Sequence, residues 1–158
     1  MSRAPLPAPP YSGRCLCGAV RYAYGERPMG LNACHCTQCK RISGSDYIKM
    51  LLGERAHLSS SGETQLYRKR ADSGREIDIH RCAVCGTRMW HLPLAAPKVV
   101  FICAGTLDDQ TWTTPTSHIW VEYADPAVGY APDAVRLEGQ PTDRQALYDA
   151  FDRAYPAG

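Results

Sequence analysis

At 158 residues the chain has the usual size of one domain and is long enough to bury a core of its own. Eighteen Lys and Arg against sixteen Asp and Glu give a formal charge of +2, which lacks the strongly basic footprint of a nucleic-acid binder. No apolar run approaches the ~20 residues that a membrane-spanning helix requires.

Residues 1–10 carry four prolines and no continuous apolar stretch. This predicts a disordered, polyproline-leaning tail rather than a secretory leader, with a single domain over 11–158 and a cytoplasmic location. Val20, Tyr22 and Tyr24 then alternate with polar or small residues, the period of a half-buried strand that stops at Gly25. Residues 46–52 and 56–60 are further short strand candidates, separated at Gly53. Residues 65–70 and 76–81 flank Ala71-Asp72-Ser73-Gly74, a turn signal that predicts a hairpin. Residues 98–105 form the most apolar strand candidate. The stretch 125–141 reads as a long surface excursion. Thr142-Asp143-Arg144-Gln145 has the form of a capping box, and Leu147, Ala150, Phe151 and Ala154 follow at helical spacing. The expected architecture is therefore mainly β with one amphipathic C-terminal helix.

Seven of the eight cysteines fall into three clusters: Cys15 and Cys17, then Cys34, Cys36 and Cys39, then Cys82 and Cys85. A disulfide framework needs an oxidising compartment and a particular Cα separation that residues two apart satisfy poorly. Metal ligation is the better reading, and thiolates in a chain without a ferredoxin-type cysteine run point to zinc. Structural zinc is saturated by four protein ligands, whereas functional zinc keeps one position free. Spacing leaves two partitions open. The two doublets can meet as a closed four-thiolate site, leaving Cys34, Cys36 and Cys39 as an open one; or the triplet can borrow a cysteine from a doublet, with an odd remainder. Counting seven thiolates and two Zn²⁺ takes the formal +2 to about −1, so net charge says little about partners. Cys103 lies in an apolar run and reads as a small buried hydrophobe, and is the alternative candidate for a fourth sulfur at the open site.

With these residues in view, the chain resembles the glutathione-dependent formaldehyde-activating enzyme family, which includes centromere protein V. The resemblance rests on ordered blocks within about residues 13–123. They are Gly13-Arg14-Cys15-Leu16-Cys17-Gly18-Ala19-Val20-Arg21-Tyr22, Cys34-His35-Cys36-Thr37-Gln38-Cys39-Lys40-Arg41-Ile42-Ser43-Gly44, Cys82-Ala83-Val84-Cys85-Gly86-Thr87, Ala104-Gly105-Thr106-Leu107-Asp108-Asp109 and His118-Ile119-Trp120. It implies a tent-like zinc fold of small antiparallel sheets, a structural zinc on Cys15, Cys17, Cys82 and Cys85, and a second zinc on Cys34, Cys36 and Cys39. The implied activity is that of a carbon–sulfur lyase condensing glutathione with formaldehyde to S-(hydroxymethyl)glutathione. A non-catalytic two-zinc binding scaffold is the alternative, because one fold hosts many functions. Lys40 and Arg41 directly follow the triplet, where cations would attract an anionic thiol such as glutathione or simply offset the site's charge. His35, between two cysteines that face one metal, is expected to point away from it. His118 either polarises a carbonyl or satisfies a buried group. His80 and His91 flank the second doublet, and Arg68, Lys69, Arg70 and Arg75 form a basic hairpin tip.

Overall fold

The computed structural model describes residues 3–158. In chain order the elements are β1 (Tyr11–Arg14), β2 (Arg21–Tyr24), β3 (Gly30–Cys34), α1 (Thr37–Ser43), β4 (Ile48–Glu54), β5 (Leu58–Ser61) and β6 (Thr64–Arg70). They continue with β7 (Glu76–Cys82), β8 (Arg88–Pro93), β9 (Val99–Cys103), β10 (Ser117–Ile119), β11 (Val135–Leu137) and α2 (Gln145–Ala154). The architecture is mainly β with a C-terminal helix. The chain forms two compact units. One comprises Pro7–Pro28 and Leu52–Gln110; the other comprises Met29–Leu51 and Thr111–Gly158, with the described residues 3–6.

In the first unit β1, β2 and β5 make a three-stranded antiparallel sheet, and β6 to β9 form an antiparallel run of neighbours. Tyr22 and Tyr24 face inward on β2 as the alternation predicts. The expected hairpin is β6 with β7, closing at Arg70 opposite Glu76, and Arg68 pairs with Asp78 at 2.7 Å across it. Gly53 does not separate two strands, as its glycine suggested; it lies inside β4. A Cβ there would stand 2.3 Å from the Tyr24 hydroxyl, so the glycine admits the ring. The Tyr24 Oη in turn accepts the Glu54 N–H at 3.0 Å.

His91 on β8 is buried, and burial followed by the nearby Arg88 holds its imidazole down to about 3. It is neutral in the fold, while in the unfolded chain it titrates near 6.5. Its contribution to stability is therefore complete above about pH 6.5 and falls by about 1.4 kcal/mol per pH unit below that, until the folded-state value is reached. Between pH 7 and pH 5 the protein should lose about 2 kcal/mol more than His91→Leu does, read by denaturant unfolding. Parallel pH profiles for the two proteins would remove His91 from the account.

In the second unit the strand order is β11-β10-β3-β4. β10 runs parallel to both β3 and β11, with Ser117 opposite Asn32, His118 opposite Ala33 and Ile119 opposite Cys34. These parallel pairings are an addition to the antiparallel expectation, and β11 falls inside the stretch read as a surface excursion. α2 packs against β3 and β10 through Leu147, Ala150 and Phe151. Burying a side chain such as Phe151 contributes roughly 1.5–3 kcal/mol. The helix is not closed by the capping box: it begins at Gln145, and Asp143 Oδ1 accepts the Gln145 N–H at 2.8 Å. Tyr155 Oη donates to the Trp112 carbonyl at 2.6 Å.

The proline-rich stretch, expected to be disordered, is engaged from Arg3 onward; its first two residues lie outside the described ones. Arg3 holds both carboxylate oxygens of Asp133, at 2.7 and 2.9 Å, and donates to the carbonyls of Thr114 and Pro115. A bidentate guanidinium–carboxylate pair of this kind offsets the entropy of ordering a short segment.

Candidate metal centres

The first centre lies where two hairpin tips converge. β1 and β2 are in register through Arg14 opposite Arg21, so the turn between them carries Cys15 and Cys17. Val20 O accepts the Cys15 N–H at 3.0 Å, and the Val20 N–H donates back to Cys15 Sγ at 3.2 Å. The other tip follows β7: Cys82 N–H donates to Thr87 O at 2.9 Å, and Gly86 closes the turn with φ +75°, a left-handed conformation that suits glycine. The Leu16 N–H donates to Thr87 Oγ1 at 3.1 Å, tying one tip to the other.

This brings the four sulfurs of Cys15, Cys17, Cys82 and Cys85 within 4.8 Å of one another. Cys15 and Cys17 are 3.6 Å apart, and Cys17 and Cys82 3.8 Å. A tetrahedral ion with sulfur ligands at about 2.3 Å has sulfur–sulfur edges of about 3.8 Å. The spacing therefore fits a four-thiolate metal and is too long for a disulfide. Hydrogen bonding from the Thr87 side chain, then from its backbone, draws the Cys85 thiol down to about 5. The Thr87 hydroxyl oxygen accepts the Leu16 N–H, and its proton can be donated to the Cys85 sulfur, 3.1 Å away.

The second centre is local. β3 ends at Cys34, a single residue follows, and Cys36 is the N-cap of α1, its Sγ accepting the Cys39 N–H at 3.3 Å. Cys34, Cys36 and Cys39 bring three sulfurs within 4.8 Å. The neighbouring sulfurs of Cys36 and Cys39, then burial, push the Cys34 thiol strongly upward. Three sulfurs so placed cannot all carry charge without a cation among them. Among the described residues, no fourth His, Cys, Asp or Glu joins this cluster, and Cys103 belongs to neither. Cys103 is buried and receives a hydrogen bond from Arg88 Nε at 3.4 Å.

His35 turns away from the sulfurs into the core, where its Nε2 lies 3.0 Å from His118 Nδ1. Burial lowers the affinity of both rings for a second proton, that of His118 to about 4. Two neutral imidazoles at this distance share one proton between them, one donating and the other accepting. Tyr47 packs against His35, and Tyr130 stands edge-on to His118 with centroids 4.7 Å apart. On the Cys34 side of β3, Asn32 and its opposite residue Ser117 are also buried, and Asn32 Oδ1 and Ser117 Oγ have no hydrogen-bond partner among the described residues. Sequence reasoning missed this polar pair and the histidine contact. Alternation along β3 places Asn32 with Cys34 and opposes His35 to them, but the partners sit over 80 residues away in the sequence. Lys40 donates to the Tyr123 carbonyl, while Arg41 is exposed. His80 stacks on Trp90 and contacts Thr64 Oγ1 at 3.0 Å.

A mainly β scaffold with one closed and one open cysteine cluster, each of which could hold a metal ion, defines the class of protein. Residues 10–123 match the family model described as glutathione-dependent formaldehyde-activating enzyme, and the chain belongs to that family. Its fold is similar to that in a crystal structure of a Rhodobacter sphaeroides protein, a structural-genomics target. That match has a TM-score of 0.50 and 17% identity, covering 80% of this chain and 98% of the other. A search of curated proteins found no match. Among the described residues, no helix is long and apolar enough to cross a membrane.

Proposed function

We propose that this protein is a zinc enzyme joining a low-molecular-weight thiol, glutathione or one like it, to formaldehyde or another small carbonyl. The observation that carries the reading is the contrast between a complete four-sulfur cluster and a three-sulfur cluster that no fourth protein ligand joins among the described residues. In this reading Cys15, Cys17, Cys82 and Cys85 hold a structural zinc, and Cys34, Cys36 and Cys39 hold the functional one. Zinc at the open site supplies Lewis acidity and keeps a coordinated thiol deprotonated. The carbon–sulfur bond forms between thiolate sulfur and carbonyl carbon, and the carbonyl oxygen takes up a proton. Arg41, and Lys40 through its remaining ammonium protons, bias the site toward an anionic thiol. Asn32 Oδ1 and Ser117 Oγ offer an acceptor and a hydroxyl to a hydroxylated carbon. Eight unbridged thiols suit a reducing cytoplasm.

Glutathione added to the two-zinc protein should add one sulfur at the open site, raising the average sulfur coordination per zinc by about one half, seen by X-ray absorption at the zinc edge. Exchange between free and thiol-bound formaldehyde, followed by NMR at equilibrium, should then accelerate. Unchanged coordination together with an unchanged exchange rate across a panel of thiols and aldehydes would leave a two-zinc binding scaffold as the account.

A further inference from the structure

His35 is the one residue between the end of β3 at Cys34 and the α1 cap at Cys36, so its placement sets how two of the three sulfurs face each other. It is held at two points by adjacent residues of the same short strand. Its backbone N–H donates to Ile119 O at 3.0 Å, and its ring nitrogen Nε2 meets His118 Nδ1 at 3.0 Å. The ring is fully buried, and its other nitrogen, Nδ1, has no hydrogen-bond partner among the described residues. Among the described residues the His118 contact is therefore the single polar hold on this imidazole. His118 is itself fixed: its ring stacks on His35 at 5.2 Å, and Tyr130, with Arg136 5.4 Å from its ring centre, stands edge-on to it at 4.7 Å.

From this geometry we infer that His118 is a positioning residue for the open metal site, locking the His35 ring inward so that Cys34 and Cys36 present their sulfurs together. This rests on the reading that the triplet holds a metal. Without His118 both nitrogens of a fully buried ring lack a partner, and the ring must rotate or leave the core to reach water. Either movement turns the backbone between two ligands. Groups that orient metal ligands typically account for about 10–100-fold in metal affinity.

The test titrates wild type, His118→Ala and His118→Asn with Co²⁺ against a competing chelator, following the thiolate-to-cobalt charge-transfer bands and counting bound ions by native mass spectrometry. His118→Ala should bind its second ion about 10–100-fold more weakly while the first stays in place. Asn can set a polar atom near the position of Nδ1, so His118→Asn should recover most of the loss. Equal second-site affinity in wild type and His118→Ala overturns the inference alone. A wild type that binds one ion in total overturns the two-metal reading and this inference with it. Should the variants not fold, ¹⁵N-histidine NMR of the wild type decides: filling the triplet should shift the His118 ring nitrogens, and unmoved signals overturn the proposal.

Discussion

Cys82→Ser should yield a protein that lacks the four-thiolate metal and does not fold cooperatively. Cys82 is buried, its sulfur lies 3.8 Å from that of Cys17, and its backbone N–H anchors the turn at Thr87. Structural zinc contributes about 10–16 kcal/mol of apparent binding free energy in small domains. That is as large as the whole stability of a typical domain, about 5–15 kcal/mol. The hydroxyl of serine is a poor replacement for a soft thiolate. Circular dichroism through a thermal ramp, with metal counted on the same sample, checks this. A wild-type melting curve in Cys82→Ser would mean that the structural metal lies elsewhere.

Cys36→Ser should have the opposite signature: one metal equivalent lost, thiol–aldehyde exchange reduced to the uncatalysed rate, and the fold retained. In the proposed reading Cys36 is both ligand and helix cap, and serine fills only the second role. Its Oγ can accept the Cys39 N–H as Sγ does, and serine is among the favoured N-caps. α1 is seven residues long and buries none of them completely, so little of the core depends on it. The melting temperature should therefore correspond to a loss of no more than about 1 kcal/mol, within the range for a single cap. Loss of both metals with global unfolding would show that the two cysteine clusters share ligands.

What was legible in the sequence was local. The β6–β7 hairpin announces itself through Ala71-Asp72-Ser73-Gly74, and the inward face of β2 through alternating tyrosines. The cysteine groups are visible as spacing, although only the folded hairpin tips bring Cys15 and Cys17 to Cys82 and Cys85. The three-residue strands β10 and β11 are too short to carry a period, and their parallel partners are remote. α1 buries no apolar stripe, so nothing in its sequence marks a helix. Gly53 was misleading because a glycine that admits a tyrosine ring looks, in sequence, like one that ends a strand. Asp143 took the place expected for Thr142 because the helix starts later than the capping box requires.

The two cysteine groups also differ in when they are complete as the chain is made. Cys34, Cys36 and Cys39 leave the ribosome within six residues of one another, so a growing chain has all three sulfurs of this group long before the domain can close. The other group waits for Cys85, across a loop whose closure entropy grows with the logarithm of its length. An ion captured early by the triplet can therefore precede any stable core, whereas the closed centre can be filled only as the hairpin tips meet. Metal supply during synthesis would then govern the yield of folded protein through the later of two loading events.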